Sequence, residues 1–116
     1  MCGIFAAVGD QVSETALQHV LCSLEHRGPD GNGVFTDEQA RVTLAHTRLA
    51  VIDLQTGAQP LSSEDGNIVL ICNGELYDFE RIRTSLESMG HRFKTRTDSE
   101  IIIGLYERYG LGCFEH

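Results

Sequence analysis

Gly3-Ile4-Phe5-Ala6-Ala7-Val8, preceded by Cys2 and closed by Gly9-Asp10, is a short and almost unbroken apolar run. Such a run suits a strand buried on both faces better than a surface strand, so the start of the chain is expected in the core. Immediately outward, Ser13 is placed to cap a helix. Its apolar residues Leu17, Val20, Leu21 and Leu24 recur at i, i+3, i+4 and i+7, the stripe of a helix lying on a sheet. The helix is expected to end near His26, where Arg27-Gly28-Pro29-Asp30-Gly31-Asn32-Gly33 is dense in turn formers and reads as a loop.

Further along, Val34–Thr36 and Val42–His46 are β-prone segments around a polar turn, consistent with an antiparallel hairpin, and Leu49–Ile52 is expected to continue as another strand. Residues 55–66, rich in Gly, Ser and acids, read as a surface loop before the apolar strand Ile68–Cys72, which ends at Asn73-Gly74. Asp78 can cap a second helix with Phe79, Ile82, Leu86 and Met89 on one face and Gly90 as its stop. The spacing predicts one more strand over 91–94. A third helix should follow from the capping box Thr97-Asp98-Ser99-Glu100, with Ile102, Leu105, Tyr106 and Tyr109 on one face.

The 116 residues, 41% apolar and 22% charged, have the makeup of one soluble globular domain with one hydrophobic core. Seventeen acids against nine bases give a net charge of -8, which opposes nucleic acid and anionic membrane surfaces. No apolar stretch approaches the roughly 20 residues needed to span a bilayer. The Met1-Cys2-Gly3-Ile4-Phe5 start lacks the features of a secretory signal, which makes the cytoplasm the expected location. Cysteines 2, 22, 72 and 113 show no CxxC or zinc-finger spacing and are read as reduced thiols, with no metal site.

Cys2 is the first candidate for chemistry. Removal of Met1 would leave it with an α-amino group of pKa about 7.7–8.0, a base carried on the nucleophile's own residue. Taken alone, it reads more readily as a small apolar residue at the head of a buried strand. Asn73-Gly74-Glu75, at a strand end, offers an amide donor and a backbone N–H to a developing oxyanion, although Asn-Gly also makes an ordinary hairpin turn. The planar fork of Arg48 can take a carboxylate in two parallel hydrogen bonds, or simply be solvated. Asp98 could meet a substrate ammonium or merely favour a helix N-terminus. The five histidines show no HExxH pairing, no Gly-x-Ser-x-Gly elbow is present, and Gly31-Asn32-Gly33 lacks the ending of a phosphate loop. The Arg27–Gly31 loop is expected to shape or support a pocket.

Five motifs in this order, Cys2-Gly3-Ile4-Phe5, His26-Arg27-Gly28-Pro29-Asp30-Gly31, Ala45-His46-Thr47-Arg48-Leu49, Asn73-Gly74-Glu75-Leu76-Tyr77 and Thr97-Asp98-Ser99-Glu100, resemble class II glutamine amidotransferases. Leu49-Ala50-Val51-Ile52-Asp53 and Gly57-Ala58-Gln59-Pro60-Leu61 make the likeness closest to glutamine-hydrolysing asparagine synthetases. The resemblance implies an α+β N-terminal nucleophile hydrolase fold, a four-layer αββα sandwich of antiparallel sheets, of which residues 1–116 would be the N-terminal part. It implies Cys2 as nucleophile, Asn73 and Gly74 as oxyanion donors, Arg48 for the substrate carboxylate, Glu75 with Asp98 for its ammonium, and Val51 as a further substrate contact. The substrate would be glutamine, hydrolysed to glutamate and ammonia through a Cys2 thioester. The ATP-dependent synthetase domain, to which ATP and Mg belong, is absent from these residues, so no cofactor is expected here and the rest of a longer chain is the expected partner; a homodimer is also allowed for. Two alternatives stand beside this reading: a glutaminase serving a sugar phosphate or purine precursor, and an inactive truncated fragment that only binds. Sheet edges and apolar faces of a half-built sandwich would lie open to water.

Overall fold

The computed structural model describes all 116 residues, Met1 to His116. Its strands are β1 (Gly3–Val8), β2 (Asn32–Asp37), β3 (Val42–Thr47), β4 (Leu61–Ser62) and β5 (Val69–Leu70). Its α-helices are α1 (Glu14–Leu24), α2 (Phe79–Ser88) and α3 (Glu100–Tyr109), the last followed by a 3₁₀ helix over Gly110–Glu115. The strands make two antiparallel sheets, ordered β1-β3-β2 and β4-β5, so the chain is a mixed helix and sheet protein. No helix is long and apolar enough to cross a membrane.

The expected hairpin is formed by β2 and β3, with Asp37 opposite Val42. β1 pairs with the other edge of β3, Gly3 opposite Thr47 and Val8 opposite Val42. Because side chains alternate along a strand, Gly3, Phe5 and Ala7 share a face with Ala45 and Thr47, and α1 covers that face. Leu21 is its buried contact, and the Thr47 hydroxyl donates to the Leu24 carbonyl at 3.0 Å. Ser13 caps α1 as expected, its Oγ accepting from Ala16 N at 3.2 Å. On the opposite face Ile4 and Val8 are exposed, by 47% and 75%. Within these residues β1 is therefore an edge strand with one uncovered face, where its apolar run suggested burial on both. Composition alone could not reveal that only one side of this sheet carries a helix.

Several other expectations are corrected. Leu49–Ile52 and residues 91–94 form no strand, and of Ile68–Cys72 only Val69–Leu70 pairs, with the unforeseen β4. Asp78 sits at φ 58° and makes no cap hydrogen bond, its carboxylate pairing instead with Arg81 at 2.5 Å. Glu100 does not close a capping box. Its carboxylate turns to Lys94 N and Thr95 N, at 2.8 and 2.7 Å, while α3 begins without a side-chain cap. Of the expected face of α3, Leu105 is buried, but Ile101 and Ile103 join it and Tyr106 and Tyr109 are exposed, because Thr97–Glu100 is fixed by its own contacts and sets the helix at a different rotation.

Gly90, at φ 94°, does stop α2: His91 N reaches Leu86 O at 3.0 Å and Gly90 N reaches Glu87 O at 3.0 Å, the paired bonds of a Schellman ending. This returns the chain so that Leu86 packs on Ile101, Leu105 and Cys113, with Phe79, Ile82 and Phe93 around them. Eight apolar side chains are buried, and as many polar or charged ones, four of them in the unbroken run Thr97–Glu100. So many buried polar groups need partners, which marks 97–100 as scaffolding for something other than a core.

The 27–31 loop supports the end of β3. Asp30 N donates to Arg48 O at 2.9 Å and Arg48 N to Gly31 O at 2.8 Å. Gly28 makes this approach feasible, since a Cβ there would lie 2.4 Å from the Thr47 carbonyl. Gly28→Ala is accordingly expected to lower unfolding free energy by about 1–3 kcal/mol. Gly112→Ala, with no neighbour within 4 Å, should change it by less than about 0.5 kcal/mol, and urea unfolding followed by circular dichroism compares the two.

Candidate active site

A cavity of about 260 Å³ opens where the residue preceding β1 and the end of β3 meet residues 72–75 and 97–99. Such a volume is slightly below the roughly 300–1,000 Å³ of sites for drug-sized ligands, and suits a smaller metabolite. Cys2, Asn73 and Gly74 line it, as do Arg48, Val51, Glu75 and Asp98. All seven residues singled out from the sequence thus come together, although up to 96 positions separate them along the chain.

Antiparallel pairing explains the first part of this convergence. With Gly3 opposite Thr47, Cys2 and Arg48 fall at the same end of the sheet. Cys2 is tied there twice: Leu49 N approaches its Sγ at 3.3 Å, and its carbonyl accepts from Arg27 Nε at 3.1 Å. The thiol is half-buried and free. A second thiol, Cys72, lines the same cavity, but burial pushes its pKa up, with the Ser99 hydroxyl opposing, so it stays protonated at neutral pH.

Arg48 is half-buried at the exit of β3. Its Nη1 donates to Leu54 O at 3.4 Å and its Nη2 to Ile52 O at 3.3 Å and to Asp53 O. Gly57 leaves room for it, since a Cβ there would sit 2.9 Å from Nη2. The loop from 52 to 57 that replaces the expected strand is thus a collar around the guanidinium, and Val51, 72% exposed, stands at its edge.

Across the cavity, Asp98 is 4% exposed. Its Oδ2 accepts from Leu76 N at 2.8 Å and its Oδ1 from the Thr97 hydroxyl at 3.2 Å. Every partner is a donor, the environment an ionised carboxylate needs. The same bond anchors the 73–76 turn at Leu76. Glu75 lies on the exposed side of that turn. One guanidinium and two carboxylates therefore share a cavity with a thiol and an amide, a set able to read an amino acid's two charged groups.

His46, Gln59 and Ser99 also line the cavity, and none was singled out for a role in the sequence. Gln59 Oε1 accepts from Cys72 N at 2.6 Å, steering the chain into Asn73. His46 is 1% exposed, and neither ring nitrogen has a hydrogen-bond partner. Its spacing of two from Arg48, on one side of an extended segment, was the available signal. No three or more His, Cys, Asp or Glu side chains are grouped to hold a metal ion.

A model of the glutamine amidotransferase domain matches residues 1–116. The chain belongs to that family. It is 43% identical over 115 residues to asparagine synthetase [glutamine-hydrolyzing] 1 of Arabidopsis thaliana, covering 96% of this chain and 19% of that protein. A probable asparagine synthetase [glutamine-hydrolyzing] of Dictyostelium discoideum is 43% identical over 115 residues, covering 95% of this chain and 20% of the relative. The probable enzyme of the same name from Schizosaccharomyces pombe is 39% identical over 117 residues, covering 97% and 20%. The amidotransferase chain thus spans about a fifth of the length of these curated relatives.

Burial lowers the His46 pKa from 6.5; the Cys72 backbone, which fails the geometry of a hydrogen bond to the ring, opposes this in part, and the Arg48 charge aids it. A depressed folded value means the unfolded chain takes up this proton first as pH falls, so stability declines below about 6.5. His46→Asn in this amidotransferase chain should flatten the drop in urea midpoint between pH 7.5 and 5 relative to the parent. An unchanged slope would remove His46 as its source.

Proposed function

We propose that this domain hydrolyses the side-chain amide of glutamine to glutamate and ammonia, with Cys2 as nucleophile. The observation that carries the reading is the convergence of the Cys2 thiol, the Asn73-Gly74 turn, Arg48 and Asp98 on one cavity. Removal of Met1 frees the Cys2 amine, which at a pKa of about 7.7–8.0 can take the thiol proton. The thiolate attacks the amide carbon, and the oxyanion is met by the Asn73 amide and Gly74 N–H. Collapse breaks the C–N bond, and the leaving nitrogen takes the proton from the α-ammonium and departs as ammonia. Water then cleaves the γ-glutamyl thioester, giving glutamate and restoring the thiol.

Arg48 would hold the substrate α-carboxylate, with Asp98 and Glu75 on the ammonium and Val51 at the mouth. The named relatives are glutamine-hydrolysing asparagine synthetases, which favours an asparagine-forming acceptor over a sugar phosphate or purine precursor. In this reading residues 1–116 are the N-terminal part of a glutaminase domain acting in the cytoplasm. Its partner is a synthetase domain that consumes the ammonia and alone uses ATP and Mg. The complete domain is a four-layer αββα sandwich. The apolar row Ile4, Ala6 and Val8 on the uncovered face of β1 supports a further layer there.

Asn73→Ala should lower kcat for glutamate release by roughly 10²–10³ with less effect on KM. Cys2→Ser should abolish both turnover and labelling by a glutamine-like diazoketone. Glutamine binding by the Met1-free chain without any Cys2 adduct would instead support a domain that only binds.

A further inference from the structure

Asp53 joins the two sides of the cavity without lining it. It sits at φ 51°, a left-handed conformation that Asp tolerates better than most residues. Its carbonyl accepts from Arg48 Nη2 and, at 3.1 Å, from Gly57 N. Its carboxylate accepts from Thr56 N at 2.9 Å, from the Thr56 hydroxyl, and from Arg96 N at 2.7 Å, 43 residues away. Arg96 is two residues before Asp98 on the chain.

We propose that Asp53 is a positioning residue that sets the spacing between Arg48 and Asp98, and so the fit of the cavity to an α-amino acid head group. The inference rests on the reading of Arg48 and Asp98 as the groups that bind the substrate's carboxylate and ammonium. Those two substrate charges are attached to one carbon, so the cation and anion that read them need a fixed separation. On one side Asp53 anchors the guanidinium through its carbonyl; on the other it clamps the backbone leading to Asp98 through its carboxylate. The Thr56 hydroxyl above all, with the Thr56 and Arg96 N–H groups, holds the Asp53 carboxyl at about 2, so the clamp is an anion throughout the neutral range. Asn at this position would keep one acceptor oxygen but lose the charge that strengthens these bonds.

The test compares two alkylating agents on the intact chain, with adducts counted at Cys2 by peptide mass spectrometry. An amino-acid diazoketone carries the head group; iodoacetamide does not. Asp53→Asn should slow Cys2 labelling by the diazoketone about tenfold and leave the iodoacetamide rate unchanged. Should Asp53→Asn fail to fold, Thr56→Val weakens the same clamp and is expected to act in the same direction. An equal fall with both agents would overturn the inference, because Asp53 would then support the nucleophile generally. Slowing of the diazoketone by Arg48→Ala but not by either clamp variant would overturn it while sparing the Arg48 reading. If Arg48→Ala has no effect on labelling by the diazoketone, the head-group reading itself fails and the inference with it.

Discussion

The backbone of Thr47 and Arg48 is held on three sides, and the site depends on that hold. On one flank β1 pairs with β3, so that Gly3 lies opposite Thr47 and Cys2 is carried to the same end. On the other, Asp30 and Gly31 exchange backbone hydrogen bonds with Arg48. Beneath, the Thr47 side chain is bonded to the end of α1. Glycines at 3 and 28 allow this closeness, because a Cβ at either would come within 2.5 Å of Thr47 atoms. In a domain with few buried apolar side chains, order at the site comes mainly from satisfied backbone groups and charge-assisted hydrogen bonds.

That economy shapes the electrostatics. Arg48 is neutralised by no carboxylate within bonding distance; it is gripped by the carbonyls of residues 52–54, which orient it and leave its charge available. Asp98 likewise has donors and no cation as bonding partners. Opposite charges kept apart in one cavity create a field suited to a zwitterion. Of the two half-buried thiols there, desolvation keeps Cys72 protonated, and Cys2, at the head of β1, is the attacking group in the proposed reaction.

The sequence signals that succeeded were those with a local physical cause. The α1 stripe, the Ser13 cap, the β2–β3 hairpin and the Gly90 stop are written in side-chain period and turn chemistry, and each is present. The failures share a cause as well. Leu49–Ile52 reads as a strand because its residues favour extended backbone, yet Arg48 recruits the following carbonyls into a collar that no ladder could provide. Thr97-Asp98-Ser99-Glu100 reads as a capping box, but Asp98 is drawn to the backbone donor at Leu76, and Glu100, the first residue of α3, to those at Lys94 and Thr95. In both places a charged side chain bonds backbone groups that neither a strand ladder nor a helix cap would supply.

By itself the sequence determined the family, through five ordered motifs, and picked out seven of the residues that line the cavity, because the residue types suited to a chemistry can be recognised wherever they stand. Only the tertiary structure decided that β1 pairs at the sheet edge beside β3, that His46 is buried without a hydrogen-bond partner, and that Asp53 bridges Arg48 to the approach to Asp98. Burial and long-range hydrogen bonds are properties of which segments meet, and no single stretch of chain encodes a meeting.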